Sequence, residues 1–574
     1  MLLACALFSF LMPHGGQYLP PLRDDAEAPP AVLTQPGTGP TLPYEPDRWE
    51  WWFDFQEEEL LDLRVRLARL PAEADGAAWR PSTESDRVER VLPVLQEAAR
   101  RSQRDLRATA ALALGRLAEP AGVPTLLELT EDRDLFVRAQ AILALGVCAE
   151  RQRIERDARI EAQRAAGSSA STVPAGVADA SVLARLDRLL DTRKQPAELF
   201  TYAAAALGLM GGPDAELLLG PRLRPSVLEK TPQQQRAALI NAAGLVGSAQ
   251  LDAQLLGLRE RWIWTHDGDV RALVAVALGR SGRAANLAAL LQLLADADSQ
   301  VRRSAAAALN GLADQLSPTD LARVLTRHGK EKDVATRLHL LHVLGRARAP
   351  AARARLLAVL ARRSAGLERP YAALGLGLDG HPDSVDALIH ELDRNSERSF
   401  RGALAMGLGL AADGRAIGPL LELFLDESEP AAQAWLALAL GLLGTDSEEF
   451  LERVEHVRAR THDPETLRLL TTALALVGRG AQLREELDEM PVSLATSDRA
   501  ALVFAHGQFG DRRSLAALIE LASDEEHPSY LRRYALGALG QICEPAERSF
   551  PVRLSRLVEP HHKVGFLFEL NQVY

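Results

Sequence analysis

Apolar and polar positions run along most of this chain in one recurring phase. The stretch Asp269–Gly282, DVRALVAVALGRSG, shows it: an acidic start, an Arg, then a run in which almost every position is apolar, closing at Gly. The Arg and the Gly eight residues later recur as Arg107/Gly115, Arg138/Gly146, Arg236/Gly244, Arg271/Gly279, Arg337/Gly345, Arg369/Gly377, Arg401/Gly409, Arg499/Gly507 and Arg532/Gly540. Degenerate copies stand at Phe200/Gly208, Arg302/Asn310, Gln433/Gly441 and Arg468/Leu476. Successive second marks lie 31 to 36 residues apart, with one step of 62. A period in the low thirties predicts stacked helical hairpins.

Two kinds of helix alternate in that period. Gly122–Thr130, Leu287–Ala295 and Ile417–Leu425 carry Leu at helical spacing with polar residues between, as a half-exposed outer layer does. Ala203–Met210, Ala403–Leu410 and Ala431–Leu443 are apolar nearly all round, which predicts an inner, concave layer covered on every side. Four residues before the Arg stands an acid (Asp134, Asp267, Asp298, Asp333, Glu397, Glu429) or a proline (Pro196, Pro232, Pro464, Pro528). Both suit a first helical turn, so this position predicts the helix start. The Gly mark is expected where the helix stops and turns. Two residues before it the side chain is small: Ala113, Ala144, Ala206, Ala242, Ala277, Ala308, Gly375, Gly407, Ala439, Ala505 and Ala538, with only Val343 and Leu474 larger. That column predicts the seam along which neighbouring inner helices meet.

The string D-x-x-V-R-x-x-A-x-x-A-L-G resembles the HEAT-repeat superfamily, above all the short bacterial kind also found in phycobilisome lyase subunits. The resemblance covers about Val88–Glu544. It implies an all-α, right-handed α-solenoid of about thirteen hairpins. It also implies a ladder between the acids and the Args of successive units, carried here by Arg107, Arg138, Arg236, Arg271, Arg302, Arg337, Arg401, Arg499 and Arg532 and broken at Gln433 and Phe200.

The flanks differ from the repeats. Residues 1–13 begin with MLLACALFSFLM, the length of a signal-peptide apolar core without its basic start, and point to export to the periplasm or beyond. Without that segment's function the chain is expected to be cytoplasmic. Residues 14–46 are Pro-rich and read as a disordered linker. Residues 47–87 bring Trp49, Trp51, Trp52, Phe53 and Phe55 together and read as an aromatic cap on an open first repeat. The repeats are interrupted at about 150–180, and residues 545–574 form a tail outside the register.

Composition adds limits. The 574 residues carry a net charge of −11, which disfavours a nucleic-acid partner, and no stretch is long and apolar enough for an integral membrane span. Cys5, Cys148 and Cys543 are too scattered for a zinc site or a disulfide framework. Gly375–Gly380 matches G-x-G-x-x-G but lies at a repeat-helix end, without the strand a dinucleotide site needs. His390-Glu391 is a single His-Glu pair, whereas metal-binding HEAT-repeat hydroxylases use several. His328, His339 and His342 are expected to be ordinary helix histidines, and His561-His562 an exposed tail. No catalytic residue, metal or cofactor is assigned. Two residues after the Arg, the register places Tyr202, His339, Tyr371, Trp435 and Tyr534 as a candidate binding row at the concave edge. The expected function is a non-catalytic protein- or peptide-binding scaffold using the concave face. The alternative is a lyase-like enzyme or subunit holding a hydrophobic small molecule there.

Overall fold

The computed structural model describes residues 49–544, apart from residues 51–52, 54–56, 58–59, 71–78, 166–179, 192–195, 261–267 and 491–493. The readings for residues 1–13, the linker 14–46, the tail 545–574 with His561 and His562, and Trp51, Trp52 and Phe55 therefore fall outside the described residues. So does nearly all of the interruption's tip.

The described residues contain helices and no strand. Gly375–Gly380 lies at the end of a helix, so the nucleotide match is coincidental. Thirteen inner helices follow the Arg register. They are α1 (Arg104–Leu117), α2 (Leu135–Ala165), α3 (Ala197–Met210), α4 (Gln233–Val246), α5 (Gly268–Arg280), α6 (Ser299–Asn310) and α7 (Val334–Ala347). The rest are α8 (Glu368–Asp379), α9 (Arg398–Ala411), α10 (Pro430–Leu442), α11 (Pro464–Leu476), α12 (Thr496–Phe509) and α13 (Ser529–Ile542). Shorter outer helices such as Leu287–Leu293 and Ile417–Asp426 return the chain between them. The charged stretch after Gly146 does not form a separate element: α2 runs straight on to Ala165.

The start signals act as read. Asp298 and Asp333 accept hydrogen bonds from the Gln300 and Thr336 amides, capping α6 and α7. Of the four start prolines, Pro464 occupies a first-turn position, where a missing N–H costs nothing, and Pro196, Pro232 and Pro528 stand just before the first turn, at the N-cap. The stop signal was misplaced. The Gly marks sit inside the helices, and the turn comes about three residues later, at Ala118, Gly247, Arg348, Gly380, Ala412 and Gly510, all with positive φ. What the Gly marks provide is approach. A methyl built on Gly244 would lie 2.5 Å from the Ala277 Cα, and one on Gly279 2.7 Å from the Ala308 Cα. The Gly marks thus meet the next helix at the small-residue column, except Gly441, which meets Ala473 one residue before Leu474; Ala277 is fully buried. The seam assignment holds, with Gly as its other half.

The succession closes on itself. α13 packs against α1 as each inner helix packs on its neighbour, and a methyl on Gly540 would lie 2.7 Å from the Ala113 Cα. The first repeat is therefore not an open end. Arg533 meets Asp105 at 3.3 Å, Arg512 meets Asp86 at 3.0 Å, and Arg151 pairs with Glu544 at 2.5 Å with both side chains buried.

Candidate functional site at the inner face and its N-terminal strap

The recurrent Arg forms rungs of the expected ladder at three junctions, with a different acid from the one expected, while Arg401 and Arg532 reach the Asn395 and Ala522 carbonyls. Arg107, Arg271 and Arg302 each grip a carboxylate of the following unit through two nitrogens: Asp132 at 2.8 and 3.1 Å, Asp296 at 2.9 and 3.0 Å, Glu331 at 2.9 and 3.1 Å. These acids stand six residues before the next Arg, two before the capping acid. Their backbone carbonyls accept from that next Arg, as Asp132 O does from Arg138, Asp296 O from Arg302 and Glu331 O from Arg337. One residue therefore links two units, by its side chain backward and its carbonyl forward. Gln433 keeps the carbonyl half of this link, its Nε2 donating to Glu427 O at 2.7 Å, so it breaks the ladder less than its lost charge suggests. Burial alone would raise the Glu331 carboxyl. Hydrogen bonds from Arg302, the Asp333 amide and Arg327 outweigh it and bring its pKa down to about 2. These charges are spent on one another and serve as bracing.

The inner face carries a passenger. Trp49, Glu50, Phe53, Glu57, Leu60 and Leu61 lie on helical residues, and Leu63–Arg69 is a further helix. This strap crosses α9, α10 and α11 and reaches α12 and α13. Trp49 is fully buried; its indole Nε1 donates to Ser399 O at 2.9 Å, and its ring lies 4.8 Å from the Trp435 ring. Phe53, also fully buried, stands edge-on to Trp435 at 5.3 Å. Glu57 pairs with Arg468, which Glu465 of the same helix also holds at 2.5 Å. Burial raises the Glu57 carboxyl above its ordinary range, more than the Arg468 charge lowers it. Further on, Arg64 donates to Gln541 O at 2.6 Å and the Trp79 indole to Phe509 O at 2.7 Å. The aromatic segment expected to cap the first repeat instead docks some 350 residues away in sequence.

Four of the five row residues lie apart from this docking. Tyr371 is buried with the His342 ring 5.3 Å away, a contact between neighbouring units. Tyr202 and His339 are buried, and Tyr534 is half-buried. Trp435 is the row residue that the strap covers. The partners that row reading missed are Ser399, Gly402 and Arg468. A methyl on Gly402 would reach 2.9 Å from Trp49 Cζ2. Gly402 is the only Gly at the position after the Arg mark, a signal of close approach that the sequence did contain.

Titratable groups elsewhere near the inner layer are held neutral or braced. Burial lowers His328 to about 4, His339 to about 3 and His342 well below its usual value. His506, lowered to about 4 by burial, places Nδ1 2.9 Å from Ser514 Oγ and Nε2 2.9 Å from Leu483 O. Nε2–H donates to the Leu483 carbonyl, so Nδ1 accepts from the Ser514 hydroxyl and the ring ties three segments together. Beside it lies a cavity of about 40 Å³ lined by Leu67, Trp79 and Phe509 among others. That is far below the roughly 300 Å³ of a small-molecule site. Among the described residues no group of His, Cys, Asp and Glu is placed to hold a metal ion, and no helix is long and apolar enough to cross a membrane.

The family profile for HEAT repeats matches residues 90–159. No curated protein matches the chain. Among solved structures, human deoxyhypusine hydroxylase in complex with glycerol is 20% identical over 51% of this chain and 95% of that one, with a TM-score of 0.21. Importin beta is 15% identical over 78% and 71% of the two chains, with a TM-score of 0.37. Kap121p is 13% identical over 82% and 60%, with a TM-score of 0.34. At these identities and scores the likeness assigns neither activity nor partner to this chain. The stretch matched as HEAT repeats is residues 90–159, and helical hairpins continue from it in the same register to α13.

Proposed function

We propose that this chain is a non-catalytic scaffold that binds a protein or peptide partner on the inner face of its repeat ring. The observation that carries this reading is the strap: the inner face of α9–α11 already seats a helix, through Trp435 and Arg468. Closure supports it, because a ring without free ends is preorganised and loses little freedom when something docks. The ladder supports it too, since its charges brace the array and leave recognition to the aromatic and small residues between them.

A photoreactive residue at Tyr534, on the inner layer, tests the proposal against one at Gln292, exposed on an outer helix. Partner protein should crosslink at Tyr534 and not at Gln292. The reverse pattern would move the binding surface to the outer layer.

A further inference from the structure

The strap is a sample of what the inner face recognises. Among its described residues up to Leu61 the buried positions are Trp49, Phe53, Glu57, Leu60 and Leu61, each on a helical residue and at spacings of four, four, three and one. Such spacing is how an amphipathic helix is read in a groove. Aromatic anchors fill the α9–α10 end, where Gly402 leaves room for the indole, and the carboxylate meets the cation on α11. At the first anchor, Ser399 supplies its carbonyl to the indole and its hydroxyl to Glu50 at 2.9 Å.

The seat is also built so that its occupant can leave. Parting a buried ion pair is costly when one charge stays buried alone. Here Arg468 keeps Glu465 at 2.5 Å on its own helix, so removing Glu57 strands no cation. The helix Leu63–Arg69 retains its own link to α13 through Arg64. The Trp49–Leu61 portion can therefore lift while the rest of the strap stays.

We propose that the inner face of α9–α11 is a recognition site for an amphipathic helix bearing two aromatic anchors one turn apart and a carboxylate one turn further on. Residues Trp49–Leu61 are its resident occupant, and a partner helix of the same chemistry takes the site by displacing them. This rests on the scaffold reading and names the partner's chemistry.

The probe is a fluorescein-labelled peptide of residues 47–61, titrated against the full chain. A tethered occupant competes at high effective concentration, so the parent should bind weakly. The double variant Trp49→Ala, Phe53→Ala should bind about tenfold more tightly or better, and adding Trp435→Ala should abolish the gain. No binding by a double variant that keeps the parent's helicity and melting temperature overturns the proposal. If the double variant does not fold, a full chain with a protease site inserted in residues 71–78 replaces it. After cutting, excess peptide should release the N-terminal fragment in size-exclusion chromatography. A fragment that stays until the ring melts overturns the proposal. Should the peptide never exchange while Tyr534 still crosslinks a partner protein, this inference falls and the scaffold reading stands.

Discussion

The junction of α5 with α6 and the junction of α13 with α1 share a backbone contact and differ in their charges. In both, a Gly mark lies flush on an Ala of the next helix: Gly279 on Ala308, Gly540 on Ala113. At the first, Arg271 grips Asp296, whose carbonyl serves Arg302. At the second, the place of that acid is held by Arg101, six residues before Arg107. Arg532 accordingly donates to the Ala522 carbonyl at 3.3 Å, and Arg101 is met by Glu525 and Glu97. The closing junction then adds bonds that no ordinary junction has: Arg151 with Glu544, Arg512 with Asp86, and the Arg512 amide on Arg80 O at 2.9 Å. The steric register is enough to close the ring. The charges at this junction are placed differently: Arg533 of α13 meets Asp105 of α1, and the other pairs reach Asp86, Arg80 and Glu544 at the edges of the array.

The largest expected effect is at that supplement. Glu544→Ala removes one partner of a buried ion pair and should cost about 3–5 kcal/mol in urea unfolding. Asp296→Ala, at the partly exposed ordinary rung, should cost clearly less. Equal costs would mean that the closing pair is no different from a rung.

Next come the glycines. Gly244→Ala and Gly540→Ala each force a methyl to about the same close approach, and each should cost about 1–3 kcal/mol. They should differ in reach. Hydrogen exchange should show loss of protection confined near α4 and α5 for the first. For the second, opening the ring should loosen both α1 and α13, and with α13 the strap that Arg64 ties to it. Local loss in both would show that closure carries no cooperativity.

A third expectation concerns acid. His328, His339, His342 and His506 bind protons less readily folded than unfolded. Their contribution is complete above the unfolded value near 6.5 and is lost as pH falls toward the folded values. Stability should drop between pH 6.5 and 4 by on the order of 1 kcal/mol per pH unit for each. Glu331 and Asp333, held down near 2, add their loss only below the ordinary carboxylate range. His342→Gln, measured by melting at both pH values, should flatten the upper part of this slope. An unchanged slope would place the sensitivity elsewhere.

The smallest effect is local and favourable. Ala412 ends α9 in the left-handed region at φ 54°. Ala412→Gly removes that strain and should raise stability by about 0.5–1 kcal/mol. A loss instead would mean that the Ala412 methyl packs better than its backbone suffers.

How much of this was legible in the sequence depended on range. The helix starts, the two layers and the small-residue seam were readable because each is set within one period and recurs in most of the thirteen units. The Gly marks were found but misread, since a Gly near a helix end serves a turn or a close approach equally well until the neighbour is seen. The ladder's acid was overlooked in D-x-D pairs such as Asp132/Asp134 and Asp296/Asp298, where the second acid, an evident helix cap, drew attention from the first. The strap's seat was visible only as Trp435 and the odd Gly402.

By itself the sequence determined the unit: a hairpin whose inner helix is apolar all round, starts at an acid or proline and meets its neighbour through Gly and Ala. Only the tertiary structure decided that thirteen such units close on one another and that Trp49 lands on Ser399 and Trp435. Closure is the sum of small rotations at successive junctions, and each rotation comes from side-chain packing that no single period displays. The strap's landing place depends on that sum, because α9 and α10 come within its reach only once the chain has curved back.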